Sequence, residues 1–417
     1  AGLATAYACN TPVLCVAGQI PSYGIGRGFG LLHELPDQLQ ALKSVSKWAA
    51  RLVEPEDVNA VVDTAFRELE SGRTRPVALE IPPDVLTREP DLLRQAGFPD
   101  AGEELNRAKI DEAATLLANS KAPAMFVGSG AFGAEAEVRR LAEHLQCPVV
   151  MSVNGRGVVP DDNPLAQNEL VGHALWAQSD VVLAVGTRLH MPLSSWGIDA
   201  NLKLIRVDID EDELYRFQPP TIGISADAKV ALGYLLDTLQ TLIDPQSHPK
   251  FDLSAMKADV AERLSLLEPQ ASYSSVLRAA LPRDAIVVNE FTQMGYYMNY
   301  GFPVYEPRTY ITSGYQGTLG FGFPTALGAK VANPTRTVLS INGDGGFMYN
   351  VQELATAVKY RIPVITIVFN NNAFGNVRTI QREAYNARFI ASDLTNPDFV
   401  ALAESFGVEA YRSETPQ

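Results

Sequence analysis

Short apolar runs alternate with longer amphipathic segments along almost the whole chain. Runs such as PVALEIP, APAMFVG and LKLIRVDID are typical of buried strands. Between the runs, apolar residues recur at helical spacing, as they do at Ala60, Ala65, Phe66 and Leu69. Because a strand, a helix and a second strand in sequence usually form a parallel unit, this alternation predicts an α/β protein with parallel sheets.

Two polar segments divide the chain into three such blocks. TREPDLLRQAGFPDAGEEL is rich in acids and prolines, and DPQSHPKFD lies further along the chain. We therefore predict doubly wound parallel-sheet domains at 1–90, 105–243 and 254–417. The first block should contain a strand at 12–17 and a helix at 55–70.

The middle block should contain a helix at 134–146 and four strands, APAMFVG, PVVMS, DVVLAVG and LKLIRVDID. At the two ends of the chain the pattern is less regular. AGLATAYACN is a helical pattern that leads directly into the strand TPVLCVAG, and the strand-like FGVEAYR is followed only by SETPQ. A parallel sheet needs a helix after such a strand to cover its face. We therefore expect the sequence to be a fragment that is truncated at both ends.

Composition narrows the possible partners of this 417-residue chain. Its formal net charge of −14 argues against nucleic acid or an anionic membrane surface as a partner. The three cysteines, Cys9, Cys15 and Cys147, lie in apolar surroundings without a CxxC pattern, which predicts buried free thiols in a reducing cytosol. No apolar run approaches the roughly 20 residues that span a bilayer, and the first residues lack the basic start of a signal peptide. These features predict a cytoplasmic protein.

The strongest chemical signal is the segment 339–377, LSINGDGGFMYNVQELATAVKYRIPVITIVFNNNAFGNV. It reads as a strand, a Gly-Asp-Gly turn, an amphipathic helix, a second strand and three asparagines. This order places Asp344 and the asparagines at the carboxyl ends of two parallel strands, where α/β proteins bind ligands. A carboxylate, an amide and nearby carbonyl groups form a hard oxygen site for Mg²⁺, and Gly345 and Gly346 let backbone N–H groups approach a phosphate. The alternative is an ordinary turn followed by helix-capping asparagines.

The whole segment resembles the cofactor motif of thiamin diphosphate (ThDP) enzymes, which begins with GDG and ends with a pair of asparagines. QELATA followed by a strand and NNxxxG is most similar to the acetolactate synthase group. The resemblance implies that Mg²⁺ is held by Asp344, the Asn371 side chain and the Ala373 carbonyl. Asn370 and Asn372 compete with Asn371 for the amide role.

A second motif, SGYQGTLGFGFPTALGAK, covers residues 313–330. From its composition alone it is a glycine-punctuated helix start. It is also similar to the segment that holds the aminopyrimidine of ThDP. By that resemblance the Gly317 carbonyl accepts from the amino group, the Leu319 N–H donates to a ring nitrogen, and the cofactor bends over the Leu319 side chain. Gly317, Thr318 and Leu319 are therefore expected to bind the cofactor.

The resemblance also implies an architecture and an activity. The three blocks would be a partial pyrimidine-binding domain, a Rossmann-like middle domain and a diphosphate-binding domain. The activity would be ThDP- and Mg²⁺-dependent decarboxylation of a pyruvate-like 2-oxo acid with carboligation to a second carbonyl, in a homodimer or homotetramer. The alternatives are a simple 2-oxo acid decarboxylase and a non-catalytic homologue.

The middle block contains a GxGxxG pattern at Gly128, Gly130 and Gly133, between a strand and a helix. It predicts either a structural tight turn or an adenine-dinucleotide site. NAD is disfavoured because the next strand, PVVMS, is followed by Val-Asn-Gly and offers no acid for a ribose hydroxyl. Acetolactate synthases bind FAD in this domain. Of their Arg-Phe-Asp-Asp segment this chain keeps Arg188 but not the acids, so the resemblance leaves FAD binding open.

Four further residues are candidates for the substrate pocket by resemblance to the synthases. Gln19 matches a glutamine that faces their active site, or else it caps its own turn. His33 lies in a loop that either reaches the pocket or stays on the surface. Asn376 and Ile380 stand where the synthases carry a methionine and a tryptophan, a change that alters which second substrate fits.

The family also uses an activating glutamate in its first domain. By resemblance that glutamate would lie before Ala1, so we expect the chain as given to be a poor catalyst. The nearest acids, Glu34 and Asp37, do not match it and are expected to be exposed loop charges.

Overall fold

The computed structural model describes residues 1–90, 105–246 and 250–416. These residues form three sheets in which every strand pair is parallel, which confirms the predicted α/β class. They divide into two compact units. One unit holds the first sheet together with residues 313–318, and the other holds the two larger sheets.

The first sheet has the strand order β1-β3-β2, with the most buried strand at its centre. Its strands are β1 Leu14–Gly18, β2 Trp48–Arg51 and β3 Val77–Ile81, and its helices are α1 Gly2–Ala8, α2 Gln38–Lys43, α3 Val58–Glu70 and α4 Pro83–Leu86. Helix α3 buries Ala65 against Val77 and Leu79 of β3. The helix predicted at 55–70 starts at Val58 because Pro55–Asp57 form a 3₁₀ turn.

The middle sheet has six strands in the order β6-β5-β4-β7-β8-β9 and contains the largest apolar core. Its strands are β4 Pro123–Val127, β5 Val149–Met151, β6 Ala166–Asn168, β7 Val181–Val185, β8 Lys203–Asp208 and β9 Ile222–Ser225. Its helices are α5 Arg107–Ala118, α6 Glu135–Leu145, α7 Glu169–Gln178, α8 Glu211–Tyr215 and α9 Ala228–Leu242. Strands β4 and β7 are buried along their whole length, as expected for a sheet covered on both faces.

The third sheet has the order β11-β10-β12-β13. Its strands are β10 Ile286–Asn289, β11 Tyr310–Ile311, β12 Val338–Gly343 and β13 Ile365–Phe369. Its helices are α10 Leu253–Ser265, α11 Gln270–Ala280, α12 Gln293–Gly301, α13 Gly322–Ala332, α14 Asp344–Met348, α15 Leu354–Tyr360, α16 Gly375–Ala384 and α17 Phe399–Ser405. Gly343 is the register partner of Phe369, so the carboxyl ends of β12 and β13 lie side by side.

Two expectations need correction or lie outside the described residues. FGVEAYR does not form a strand; instead Phe406 and Val408 pack on the apolar cluster that contains Phe323 and Phe347. A strand needs a backbone partner, and within 1–90, 105–246 and 250–416 the edge strand β13 pairs only with β12. Most of the predicted polar linker after the first block falls on residues 91–104, outside the described part.

The cysteines are less uniform than expected. All three lie in the described part and none forms a disulfide, but Cys9 and Cys15 are only half-buried. Cys147 is fully buried, and burial raises the pKa of its thiol to about 12. Across the residues that the structure describes, no helix is both long and apolar enough to cross a bilayer.

Candidate metal and cofactor site

Asp344 follows directly on β12 and is the first residue of α14. The strand is buried from Val338 to Asn342, and Asp344 therefore lies at the edge of the sheet directly after a buried segment. Asp344 is itself only 3% exposed. A buried carboxylate must be paired or hydrogen-bonded to offset the loss of water. Its Oδ2 accepts a hydrogen bond from Asn396 Nδ2 at 2.7 Å.

Two asparagine oxygens from the end of β13 converge on the same nitrogen. Asn396 Nδ2 lies 3.0 Å from Asn370 Oδ1 and 3.1 Å from Asn372 Oδ1. We call Asp344 Oδ2, Asn370 Oδ1 and Asn372 Oδ1 the oxygen cluster. Asn396 supplies the donor that oxygens gathered in this way need. Carboxylate and amide oxygens are also the ligands that Mg²⁺ prefers.

The predicted ligand Asn371 makes a different contact. Its side chain is exposed, and its Oδ1 accepts from the Ala373 N–H at 3.2 Å. The side chains of the competing residues Asn370 and Asn372 therefore contact Asn396, which also contacts Asp344. The roles of Asn371 and Ala373 as ligands stay predictions. In the described part of the chain no group of three or more His, Cys, Asp or Glu could hold a metal ion, so a site here would use amide and carbonyl oxygens beside Asp344.

Gly345 and Gly346 of the Gly-Asp-Gly-Gly turn are closely packed against side chains. A Cβ on Gly345 would lie 2.9 Å from Leu394 Cδ1 and closer still to the Phe374 ring, and a Cβ on Gly346 would lie 2.8 Å from Glu290 Cδ. Distances under 3.0 Å are not tolerated by real Cβ atoms. The turn is thus pressed against its neighbours with bare backbone, which is compatible with the predicted close approach of a phosphate.

Glu290 is a buried acid that the motifs did not single out. It follows β10, is 1% exposed, and its Oε1 accepts the backbone N–H of Gly320. Burial raises the pKa of Glu290 to about 7, while the N–H groups of Gly320 and Gly322 partly oppose the shift. The signal that could have identified it is the one used for Asp344, an acid directly after an apolar strand.

The residues of the predicted pyrimidine segment belong to different units. Gly317 adopts the left-handed conformation with φ 62°, and Thr318 Oγ1 lies 2.8 Å from Thr5 Oγ1; both are in the first unit. Leu319 is half-buried and belongs to the second unit. Their roles in holding a cofactor stay predictions.

The two pocket candidates in the first unit have distinct settings. Gln19 donates from Nε2 to the carboxylate of fully buried Glu80, and its Oε1 accepts from the Ile20 N–H at 2.7 Å. The second contact agrees with the alternative that Gln19 caps its own turn. His33 is exposed and has φ 70°. The nearby Asp37 is an exposed cap that accepts from the Gln40 N–H at the start of α2.

The other two pocket candidates lie on α16, which starts just after the asparagines. Asn376 is exposed, and its Nδ2 donates to the hydroxyl of Tyr296 at 3.3 Å. Ile380 is 48% exposed. Both side chains are exposed on the same helix, where a ligand could reach them. Among the described residues, no contact links either of them to the oxygen cluster.

The glycine pattern of the middle block is explained by packing. The N–H groups of Gly128 and Gly130 donate to the carbonyls of Val185 and Gly186 at 3.1 and 3.0 Å. A Cβ on Gly130 would lie 2.6 Å from Gly186 Cα. Because these N–H groups are used within the chain, the geometry favours the structural-turn interpretation. Arg188 lies 3.8 Å from buried Glu213, measured from Nε to Oε2.

Comparison with known families agrees with this geometry. The model for the central domain of thiamine pyrophosphate enzymes matches residues 110–235, and the model for their C-terminal TPP-binding domain matches residues 290–417. The chain belongs to the thiamine pyrophosphate enzyme family. Thiamine pyrophosphate is ThDP, and the C-terminal match contains Asp344, the three asparagines and Asn396.

Several family members resemble the chain over nearly its whole length. A probable acetolactate synthase large subunit from Methanocaldococcus jannaschii is 33% identical over 100% of this chain and 74% of its own. A probable 2-ketoarginine decarboxylase from Pseudomonas aeruginosa is 32% identical, covering 96% of this chain and 73% of its own. The large subunit of acetolactate synthase isozyme 1 from Escherichia coli is 30% identical with coverage of 96% and 73%.

Proposed function

We propose that this family member binds ThDP with Mg²⁺, decarboxylates a pyruvate-like 2-oxo acid and joins the resulting acyl unit to a second carbonyl compound. The observation that carries the proposal is that buried Asp344 and the asparagines 370–372 lie at adjacent strand ends within the part matched by the TPP-binding domain. When bound, ThDP supplies a carbon nucleophile that attacks the 2-oxo group and holds the charge left as CO₂ departs.

The chain's own residues would bind and orient the cofactor. Asp344 supplies the carboxylate for Mg²⁺, and the Asn371 side chain and Ala373 carbonyl complete the proposed ligand set, with Asn370 and Asn372 as competitors. The donor set fits the ion, because a buried carboxylate and neutral oxygens are what Mg²⁺ takes while leaving positions to phosphates. Gly345 and Gly346 would face the phosphates with backbone N–H groups.

The acceptor side would be formed in part by α16. Asn376 and Ile380 are exposed on this helix and differ from the methionine and tryptophan expected in acetolactate synthases. We propose that they set which second substrate fits. Replacing Asn376 by Met and Ile380 by Trp should raise the ratio of acetolactate to other products with pyruvate, because the pocket would then match that of the synthases.

Simple decarboxylation is the second candidate. It is supported by the similarity to a probable 2-ketoarginine decarboxylase and by the polar Asn376–Tyr296 pair near the start of α16. Product analysis with pyruvate and, separately, with 2-ketoarginine distinguishes the two candidates. Acetolactate from pyruvate is the expected product. Acetaldehyde from pyruvate, or decarboxylation of 2-ketoarginine without any product from pyruvate, would favour the decarboxylase.

A non-catalytic role would give a different result. Calorimetry that detects no binding of ThDP in the presence of Mg²⁺ would overturn both enzyme proposals. We also propose a homodimer or homotetramer in the cytoplasm, on the family resemblance. Gel filtration with light scattering should give at least twice the chain mass, and a fully active monomer would contradict it.

A further inference from the structure

Glu290 lies between the two segments that are predicted to bind the cofactor, and it belongs to neither of them. It follows β10 and is 1% exposed. Its Oε1 accepts the backbone N–H of Gly320, which is in the segment 313–330. Its carboxyl also packs on the Gly-Asp-Gly-Gly turn of the segment 339–377, because a Cβ on Gly346 would lie 2.8 Å from Glu290 Cδ. One buried carboxyl therefore touches both segments.

The carboxyl fills the space that two glycines leave open. A Cβ on Gly322 would lie 2.9 Å from Glu290 Oε2, and a Cβ on Gly346 would lie 3.1 Å from the same oxygen. Both glycines are buried. Because bare backbone faces the carboxyl on two sides, the carboxyl sets how far apart the start of α13 and the Gly-Asp-Gly-Gly turn lie.

Gly320 is held at both of its backbone polar groups. Its N–H donates to Glu290, and its carbonyl accepts from Asn350 Nδ2 at 2.5 Å. Asn350 comes two residues after α14, the helix that begins at Asp344. A buried backbone N–H that loses its acceptor is costly, so removing the Glu290 acceptor would favour movement of Gly320 away from the turn.

The strand order places this contact where α/β sheets bind ligands. In the order β11-β10-β12-β13, the chain leaves β10 towards β11 on one side and leaves β12 towards β13 on the other. Ligands bind at the carboxyl ends of strands whose connections diverge in this way. Glu290 follows β10 and Asp344 follows β12, and Asn289 is the register partner of Ile341. The carboxyl of Glu290 is therefore part of the support beneath this crevice.

We propose that Glu290 is a positioning residue that holds Gly320 and the Gly-Asp-Gly-Gly turn in the arrangement that binds the diphosphate of ThDP. This role rests on the proposed function, because it assumes that the turn binds the diphosphate. It goes beyond that function by assigning the placement of the turn to a buried acid outside both segments. The atom that carries the role is Oε1, since Oε2 accepts no hydrogen bond among the described residues.

The test is calorimetric titration of ThDP into the chain with saturating Mg²⁺. Glu290→Met has a side chain of similar length without an acceptor. It should weaken ThDP binding by about tenfold or more, because the buried Gly320 N–H loses its partner and the turn loses its support. Glu290→Gln keeps a carbonyl oxygen that can accept the same N–H, so its ThDP affinity should stay within about twofold of that of the unsubstituted chain.

The matched control is Glu213→Met, which removes another acid that is 1% exposed but lies on α8 in the middle block. It should lower the free energy of unfolding without weakening ThDP binding. If Glu290→Met does not fold, Glu290→Asp replaces it, because the shorter side chain keeps the acid but draws it back from Gly320. A loss of ThDP affinity of about threefold or more is then expected, and an unchanged affinity would overturn the proposal.

The outcomes are distinguishable. A loss of ThDP affinity in Glu290→Met that is absent in Glu290→Gln and in Glu213→Met supports the positioning role. Equal losses in Glu290→Met and Glu290→Gln overturn it, because the acceptor is then not what holds the turn. An unchanged affinity in Glu290→Met, or an equal loss in Glu213→Met, overturns it as well. If the unsubstituted chain does not bind ThDP, the proposed function fails together with this role.

Discussion

The middle and third blocks are built alike but differ in what surrounds their glycine turns. Each has a parallel sheet, and each has a glycine-rich turn directly after a buried strand. In the middle block the N–H groups of Gly128 and Gly130 are bonded to the chain's own carbonyls. In the third block the turn carries buried Asp344 beside converging amide oxygens. Glycine spacing therefore indicates a tight turn, and the charged and polar atoms beside it indicate a site.

The largest expected effect separates the acids at two strand ends. Asp344→Ala should weaken Mg²⁺-dependent ThDP binding by more than about 100-fold, because it removes a proposed ligand of the cation. Removing a residue that only hydrogen-bonds to a ligand typically costs about 10- to 100-fold in affinity. Asp208→Asn, at the buried end of β8 in the middle sheet, should leave that affinity unchanged. Both are measured by calorimetry, and equal losses in the two variants would remove the distinction between the blocks.

The second effect concerns the acid beneath the third block's turn. The pKa of Glu290 is raised by burial from 4.5 to about 7, so the protonated form favours the folded state. The contribution of Glu290 to the free energy of unfolding should then fall as pH rises from about 4.5 through about 7. Glu290→Gln does not titrate, and its stability advantage should grow by about 3 kcal/mol between pH 4 and 8. Denaturant unfolding across this range checks it.

The matched control for that series is Glu404→Gln, an exposed glutamate on α17. This substitution makes the same chemical change at an exposed position, so it serves as the reference for Glu290→Gln. A stability difference for Glu290→Gln that follows pH no more than the reference does would mean that the Glu290 carboxyl is not kept from ionising by its surroundings.

Two glycine substitutions give a smaller, separable effect. Gly130→Ala should lower the free energy of unfolding by about 1–3 kcal/mol, because its Cβ would collide with Gly186, without changing ThDP affinity. Gly346→Ala should lower both the free energy of unfolding and the ThDP affinity, because its Cβ would press on Glu290 beside the turn that we propose binds the diphosphate. Thermal unfolding combined with ThDP titration tests the pair. A loss of ThDP affinity in Gly130→Ala would contradict the assignment of a structural turn.

The smallest expected effect is the response of the middle block to FAD. Because the Gly128 and Gly130 N–H groups are already bonded, we expect no saturable quenching of flavin fluorescence on titrating FAD with the chain. Stoichiometric quenching that is lost in Arg188→Ala would show that the middle block holds FAD by other contacts.

Local pattern was sufficient to predict much of the fold. The runs that became β4, β7, β8 and β12 predicted the strands, because a parallel strand buried on both faces is rich in apolar residues. The same reasoning placed Asp344 at a strand end. It was wrong for FGVEAYR, whose apolar residues pack as an irregular segment.

Contacts between distant parts of the chain could not be predicted from the pattern. Asn396 is in a polar stretch without periodicity, and only the backbone pairing of 392–394 with 372–374 brings its amide to Asp344. Glu290 is likewise 30 positions from Gly320, whose backbone N–H donates a hydrogen bond to the Glu290 carboxylate. Such partners are fixed by tertiary structure, so a local motif names one residue of the site and misses those that hold it.

The most direct test of the account is ThDP titration of the chain with Mg²⁺ and with a chelator in its place. We predict saturable, near-stoichiometric binding with Mg²⁺ that is lost with the chelator and in Asp344→Ala. Binding of equal strength with and without the cation, or no binding in either case, would contradict the central claim that Asp344 and its asparagine neighbours hold a divalent cation for the diphosphate.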